Sequence, residues 1–420
     1  MRQHHLQMII LVLLGWAVML SGMEWRISGI YKTKRNAYRD SKFNPRGMMV
    51  RQLDLAKTEF HGSQFISARI ALLSFDWSID ILANTIYRLD WKTKFCTKRL
   101  CLQRSIFQNG EIMIGRALLH WGTGYVLNPT NVVAPPKELG DPENTEKRVT
   151  GKDLVKLEYF NERSSVAVCY VTELNHRWKW SGPDSKLALR YYQNIGCLDL
   201  SLILRFRRNE RPLRGANFSY VPGERLEIHG EITSQKECYH SCLSAAIDET
   251  SVDSHLSLQM SNVINRRFCQ QYLLGVNFTG LKKINWILEY FHQDRGYTRT
   301  EWEKIIGFID MQTLHLNTPW HKVAMDNLRM SLKAFSLSGA MRDYLMNYID
   351  IPLFNKMEIK AISFINLNDR SRVIIPEFDF FIKNSFTFFC RSYIFTGGET
   401  TEYGAFFQSY SVEGGVRCNR

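Results

Sequence analysis

Ten consecutive residues, Cys197 to Phe206, read CLDLSLILRF. Leu198, Leu200, Leu202, Leu204 and Phe206 fall on one side, and Asp199, Ser201, Ile203 and Arg205 on the other, the period of two that defines a strand. The pattern recurs. Phe75, Trp77, Ile79 and Ile81 alternate with Asp76, Ser78, Asp80 and Leu82, and Tyr87, Leu89 and Trp91 with Arg88 and Asp90. Val166, Val168 and Tyr170 share a side, as do Leu187, Leu189 and Tyr191, and Leu226, Ile228, Gly230 and Ile232 face away from Glu227, His229, Glu231 and Thr233. Further windows run from Tyr272 to Phe278, Ile284 to Tyr290, Met357 to Leu367, Phe386 to Phe395 and Phe406 to Cys418.

Strands of about ten residues exceed the five or six usual in soluble sheets and match what a tilted strand needs to cross a bilayer. Aromatic residues gather near the window ends, as at Tyr87, Trp91, Phe206 and Tyr290, where amphipathic rings suit a headgroup layer. After the N-terminal region no stretch approaches the apolar length of a spanning helix, so any crossing must use strands that pair all their backbone groups. The expectation is an all-β chain, a transmembrane antiparallel up-and-down β-barrel of about 16–18 strands, counted at roughly 22–25 residues per strand and connection. A secreted soluble all-β protein binding carbohydrate through Trp178 and Trp180, as a sandwich or propeller, is the alternative architecture.

Met8 to Leu20 is an apolar run of 13 residues behind Arg2, with Ser21 and Gly22 after it. That is too short to span and has the form of a secretory signal, so residues 1–22 are read as a signal peptide and 23–420 as the barrel. The formal charge of +13 comes from dispersed Lys and Arg, which excludes the concentrated basic stripe of a nucleic-acid binder. Nine cysteines is an odd number, so one lacks an intramolecular partner if the others pair. Cys96 and Cys101 read as lying in a basic turn (FCTKRLC), and Cys238 and Cys242 flank Tyr239, His240 and Ser241; in an oxidising periplasm either pair could close a small loop disulfide, although an extended strand would hold partners four apart beyond the reach of a bridge.

One segment changes period. Thr300 to Met311 puts Trp302, Ile305, Ile306 and Ile309 at helical spacing, and Thr300 with Glu303 fits a capping box, so a short helix is expected in one long connection. It would fold against a loop or tuck into the lumen.

If the apolar faces meet lipid, the opposite faces line a watery lumen. Those positions are Asp76, Ser78, Asp80, Arg88, Asp90, Asp199, Ser201, Arg205, Glu227, His229, Glu231, Thr233, Asn285 and Glu289. Both charge signs occur, which suggests a polar channel with little charge selection. No nucleophile elbow, phosphate loop, zinc helix or dinucleotide fingerprint occurs in a suitable context, so neither an enzyme nor a cofactor or metal is expected. A barrel hydrolysing lipid is kept as a further alternative, since Asp76 with Asp80 and Glu227 with Glu231 place paired carboxylates on one strand face.

Ile112 to Arg148 runs from a strand into Gly122 and Gly124 and then Asn128-Pro129, Pro135-Pro136 and Asp141-Pro142, a long, proline-stiffened connection of the kind that is usually functional. Through Gly115, Arg116, Trp121, Gly122, Gly124, Asn128, Pro129, Thr130, Asn131 and Pro135 it resembles a stretch of the porin-like outer-membrane barrels of Gram-negative bacteria, the alginate-export-type channels among them. EYFHQDRGYTRTEW (Glu289 to Trp302) and YIFTGGETTEYGAF (Tyr393 to Phe406) look similar to the same group. The resemblance implies an outer-membrane location and a channel for small polar solutes or a polysaccharide. It also implies outer-membrane lipid and the barrel-assembly machinery as partners, although the terminal Val416-Arg417-Cys418-Asn419-Arg420 departs from the aromatic ending that machinery commonly reads. In such barrels a connection like this folds inward and narrows the pore, which makes Trp121, Asn128, Pro129, Asn131 and Asp141 candidate constriction residues. A loop packed on the rim is the other reading, and the residues alone do not choose.

Overall fold

The computed structural model describes residues 24–419 except 54, 73–74, 88–90, 145, 147–148, 173–184, 246–257 and 384. The signal-peptide segment and residues Arg88 and Asp90 lie outside the described residues, as do Trp178 and Trp180. In chain order the strands are β1 (Glu24–Tyr38), β2 (Thr58–Leu72), β3 (Phe75–Tyr87), β4 (Trp91–Ile106), β5 (Gly110–Ala117) and β6 (Lys152–Phe160). Then come β7 (Ser164–Thr172), β8 (Lys186–Ile195), β9 (Leu198–Arg207), β10 (Leu213–Gly223), β11 (Leu226–Ala245) and β12 (Leu258–Thr279). The last are β13 (Asn285–Gln293), β14 (Asp343–Leu353), β15 (Met357–Asn366), β16 (Arg372–Lys383), β17 (Phe386–Thr396) and β18 (Gln408–Asn419).

Each strand pairs antiparallel with its chain neighbours, and β1 pairs with β18 from Ser28↔Asn419 to Tyr38↔Gln408, so the 18 strands close on themselves. Closure leaves no unpaired edge, which is how an all-β chain can satisfy every ladder hydrogen bond. A sandwich or propeller is therefore not the fold.

Alternation decides the two faces. On β9, Leu200, Leu202, Leu204 and Phe206 are exposed while Ser201 and Ile203 are buried, at 6% and 1% exposure. Lys32, Glu59, Glu231, Glu289, Arg391 and Glu413 are likewise buried. Apolar side chains outside and charged ones inside invert the soluble arrangement.

The connections are also of two kinds. Short ones, such as 107–109, 161–163 and 196–197, join even strands to odd ones at one end of the barrel. At the other end lie 39–57, 118–151, 294–342 and 397–407.

Helices belong to the long connections: α1 (Met48–Gln52), α2 (Arg299–Leu314), α3 (His321–Ser331) and α4 (Glu402–Ala405). The expected helix is α2, and its cap lies two residues earlier than its sequence suggests. Thr298, not Thr300, is the cap: its Oγ1 accepts from Glu301 N at 3.2 Å while Thr298 N donates to Glu301 Oε2 at 2.7 Å. Both Thr-x-x-Glu pairs fit a capping box, but Glu303 instead pairs with Arg299 at 3.0 Å. Trp302, Ile305, Ile306 and Ile309 are buried as their spacing requires. They join one apolar cluster with Phe43, Met325, Leu328 and Tyr403 from the other long connections and with Tyr344, Phe364, Val373 and Phe395 of β14 to β17. The helix thus packs both on loops and on the barrel wall.

Two local readings are corrected. Tyr87 and Trp91 do not share a strand; Tyr87 closes β3, Trp91 opens β4, and they pair with each other across the hairpin. FCTKRLC is not a turn but the middle of β4, with Cys96 opposite Leu82 and Cys101 opposite Ser78. Lys and Arg look like turn residues in a soluble chain, whereas a barrel interior accepts them in mid-strand. Cys238 and Cys242 lie in β11, and their side chains are outside the described ones. Among the described cysteines, Cys96, Cys101, Cys169, Cys197, Cys390 and Cys418 are outside any disulfide, and Cys269 is disulfide-bonded.

Candidate functional site: an inward segment tied to opposite walls

Segment 118–151 joins β5 to β6, and its backbone is held by side chains from far along the chain. Glu231 on β11 accepts at Oε1 from the backbone N–H of Thr123 (2.5 Å) and Gly124 (2.7 Å), and at Oε2 from Thr130 N (2.8 Å) and Thr130 Oγ1 (2.7 Å). Glu289 on β13 accepts from Tyr125 N, from Val126 N at 3.5 Å and from His229 Nε2 at 2.9 Å. Lys137 donates to the carbonyls of Gly124 (3.0 Å) and Tyr125 (2.8 Å). Glu231, Glu289 and His229 are 3%, 2% and 2% exposed, so their burial is tolerable only because charge-assisted bonds replace water.

The two glycines make this approach possible. A Cβ on Gly122 would sit 2.6 Å from Asn128 Oδ1 and 2.8 Å from Glu231 Oε1, and one on Gly124 would sit 2.1 Å from Leu127 O. Asn128-Pro129-Thr130-Asn131 then reverses the chain, with Asn131 N donating to Asn128 O at 3.1 Å and proline at the second position of the turn. Asn131 Oδ1 accepts from Trp121 N at 3.4 Å, and Asn217 on β10 donates to Trp121 O (2.7 Å) and Thr130 Oγ1 (2.8 Å). Trp121 is buried with Val132, Val133, Leu154 and Ile203, and the Arg190 guanidinium lies 5.8 Å from its ring centre.

The far part of the segment reaches another wall. Asp141 Oδ2 accepts from Glu146 N at 2.9 Å, and Glu146 bridges Lys32 (2.8 Å) on β1 and Arg391 (2.8 Å) on β17. Arg391 continues to Glu377 (2.6 Å), Glu377 to Arg417 (2.6 Å), Arg417 to Asp379 (2.9 Å), and Lys32 also holds Glu413 (2.7 Å). In the closed order β1 lies eight strands from β11, nearly across the ring. The segment therefore crosses the barrel interior. Burial pushes the Lys137 ammonium below its ordinary value, with the nearby Glu289 and Glu231 carboxylates acting in the opposite direction.

The other sequence-picked residues scatter along the interior. Asp80 lies 3.6 Å from Arg99, Arg205 bonds Glu210 at 2.7 Å and Gln235 at 3.2 Å, and Glu227 accepts from Ser219 at 2.7 Å. Asp199 serves the β8–β9 turn, accepting from Tyr192 Oη and from Asn194 Nδ2 at 2.8 Å. Ser201 and Thr233 are buried, Pro129 and Asn285 half-buried. The Asp76 and Ser78 side chains, like Arg88 and Asp90, are outside the described ones.

Sequence reasoning passed over Lys32, Lys137, Glu146, Asn217, Glu377, Arg391, Glu413 and Arg417. A signal existed in part: Arg391 is a lone charge inside FTFFCRSYIFT, and Glu413 and Arg417 stand four apart on one face of β18. Glu146 and Lys137, in an aperiodic connection, offer none.

No family model matches the chain, and no curated protein matches it. Solved structures do. OccAB1 of Acinetobacter baumannii superposes with a TM-score of 0.55 at 9% identity, over 94% of this chain and 95% of that one. Wzi of Escherichia coli, described as a carbohydrate-binding β-barrel involved in group 1 capsule assembly, gives 0.52 at 10% identity over 94% and 83%. The outer-membrane protein OprD of Pseudomonas aeruginosa gives 0.51 at 8% identity over 94% of each chain. At such identities the likeness establishes the closed barrel as a shared fold.

Proposed function

We propose that this chain is an outer-membrane channel of a Gram-negative bacterium, passing small polar solutes or a polysaccharide through a lumen narrowed by segment 118–151. The observation that carries the reading is the crossing itself: one connection fastened by Glu231 and Glu289 on one side and by Lys32 and Arg391 on the other. A closed barrel with an apolar outer face suits lipid, and a charged interior suits water and solute. In such barrels short turns face the periplasm and long connections the exterior, which places α2 and α3 outside the cell. Residues 1–22 act as the cleaved export signal, and the barrel-assembly machinery inserts the mature chain. Asp80, Ser201, Arg205, Glu227, His229, Glu231 and Glu289 line the lumen, with Trp121, Asn128, Pro129, Asn131 and Asp141 forming the constriction.

A second reading is a sealed barrel that binds carbohydrate, favoured by the apolar cluster in which α2 and α3 pack over the long-connection end. Single-channel recording in planar bilayers separates the two. Discrete conductance steps from a heat-modifiable, detergent-purified barrel support the channel; a correctly folded barrel that never conducts overturns it.

A further inference from the structure

Outside the lumen, where connections 39–57 and 294–342 meet in the helical cover, a cavity of about 520 Å³ lies between α1 and α3. It is lined by Met48 and Arg51 of α1 and by His321, Lys322, Met325 and Asp326 of α3. Helical spacing explains the gathering. Positions 321 and 325, and 322 and 326, are one turn apart, and so are 48 and 51, so each helix offers one face. The two connections are already fastened beside it, since Lys42 Nζ meets Asp310 at 2.6 Å and the Phe43 ring stands 6.0 Å from Trp302. The volume falls within the roughly 300–1,000 Å³ of clefts that hold small molecules.

Two chemistries share this cavity. Its floor is apolar: Met325 is 5% exposed and belongs to the apolar cluster of the cover, and Met48 packs against the same cluster. Unbranched thioether side chains adapt to ligands of more than one shape. Its rim is cationic. Arg51, His321 and Lys322 are exposed, and the carboxylate of the set, Asp326, lies 3.9 Å from Arg329. His321 donates from Nδ1 to Leu316 O at 2.7 Å, which leaves Nε2 as the ring nitrogen for a ligand. Lys322 sits in the first turn of α3, which has neither an acidic residue nor a side-chain cap, although the helix dipole disfavours a cation there. A negative group held in the cavity answers that charge.

We infer that the cavity between α1 and α3 binds a small anionic amphiphile, its carboxylate or phosphate set on Lys322 and His321 and its apolar body on Met48 and Met325, and that the bound molecule braces the two connections against each other. Neither the site nor its test depends on whether the barrel conducts. Charge at an exposed rim is screened by salt, so the head group alone holds weakly. Burial of the apolar body against the methionines supplies the rest.

The test uses the full-length barrel in lipid nanodiscs, with empty nanodiscs as the blank. Calorimetric titrations with hexanoate and, separately, with phenyl phosphate should show saturable binding, at least about tenfold tighter than hexanol, which lacks the charge, or inorganic phosphate, which lacks the apolar body. Hexanoate without phenyl phosphate makes the head group a carboxylate, and the converse makes it a phosphate. Lys322→Glu, at an exposed position where the dipole favours an acid, should weaken binding at least about fivefold, and Met48→Ser should weaken it by a similar factor. The bound probe should also slow proteolysis within 39–57 and 294–342, as bracing requires. Absence of binding by both amphiphiles overturns the site. Inorganic phosphate bound as tightly as phenyl phosphate overturns the amphiphile, and binding unchanged in Lys322→Glu places the probe elsewhere and overturns the assignment to this cavity.

Discussion

Thr130 meets Glu231 through two hydrogen bonds, one from its backbone N–H at 2.8 Å and one from its hydroxyl at 2.7 Å, across 101 residues of sequence. With Thr123 and Gly124 on the other carboxylate oxygen, one side chain satisfies most of a chain reversal. Glu231→Ala leaves those buried donors unpaired, at about 1–3 kcal/mol each. The expected outcome is release of segment 118–151, seen as a larger single-channel conductance than wild type and new protease cleavage within the segment. Glu231→Gln, which keeps one acceptor oxygen, should fall between. An unchanged conductance in the alanine variant counts against the segment as a constriction.

Leu202 is 60% exposed on the outer face of β9, and its neighbour Ser201 is buried inside. Arg at Leu202 should cost roughly 2–4 kcal/mol if it lies near the bilayer midplane. Leu202→Arg is expected to reduce the fraction of heat-modifiable barrel in outer-membrane fractions, whereas Ser201→Ala leaves it unchanged. Equal recovery of both variants would argue that this face does not meet lipid.

Trp302 of α2 stands 6.0 Å from the Phe43 ring and donates from Nε1 to Thr400 O at 3.0 Å, joining three long connections. Trp302→Ala removes a large buried ring, a change that typically costs about 3–5 kcal/mol. Because the barrel ladder lies elsewhere, the loss should appear as faster proteolysis within 294–342 while heat-modifiable mobility is kept. A general loss of barrel folding would show instead that the helical cover is needed for closure.

Glu402 is buried in α4 and accepts from Ala340 N (2.6 Å), Tyr344 Oη (2.8 Å) and Asn366 Nδ2 (2.7 Å). Burial pushes its carboxyl up to about 8, against the opposing pull of those donors. A carboxyl that holds its proton more tightly when docked contributes fully below its unfolded range near 4.5, and that contribution is lost as pH rises toward 8. Protease cleavage of 397–407 should therefore accelerate between pH 5 and 9, and Glu402→Gln should flatten the dependence. Acceleration in the opposite direction would show that the docked carboxyl is held ionised.

Much of this architecture was legible in local pattern. Period-two alternation identifies Leu198 to Phe206 as a strand and sorts Leu202 from Ser201, because neighbouring side chains on a strand must point to opposite faces. Period 3.6 finds α2 through Trp302, Ile305 and Ile309, but the capping box read at Thr300 and Glu303 lies at Thr298 and Glu301, because a second Thr-x-x-Glu pair two residues earlier fits equally well. Glycine and proline at Gly122, Gly124 and Pro129 mark a connection built for close approach.

What local pattern could not carry is the identity of distant partners. Glu231 and Glu289 were visible as polar positions on strands, but nothing near them says that they would receive the amides of Thr123 to Val126 more than a hundred residues earlier. The pairing of β1 with β18 and the Glu146 bridge between Lys32 and Arg391 are of the same kind. The alternation of residues is a property of the backbone at each site, so it is written in consecutive positions. Which carboxylate neutralises which cation depends on closing the sheet into a ring and folding one connection through it, and only the three-dimensional arrangement contains that information.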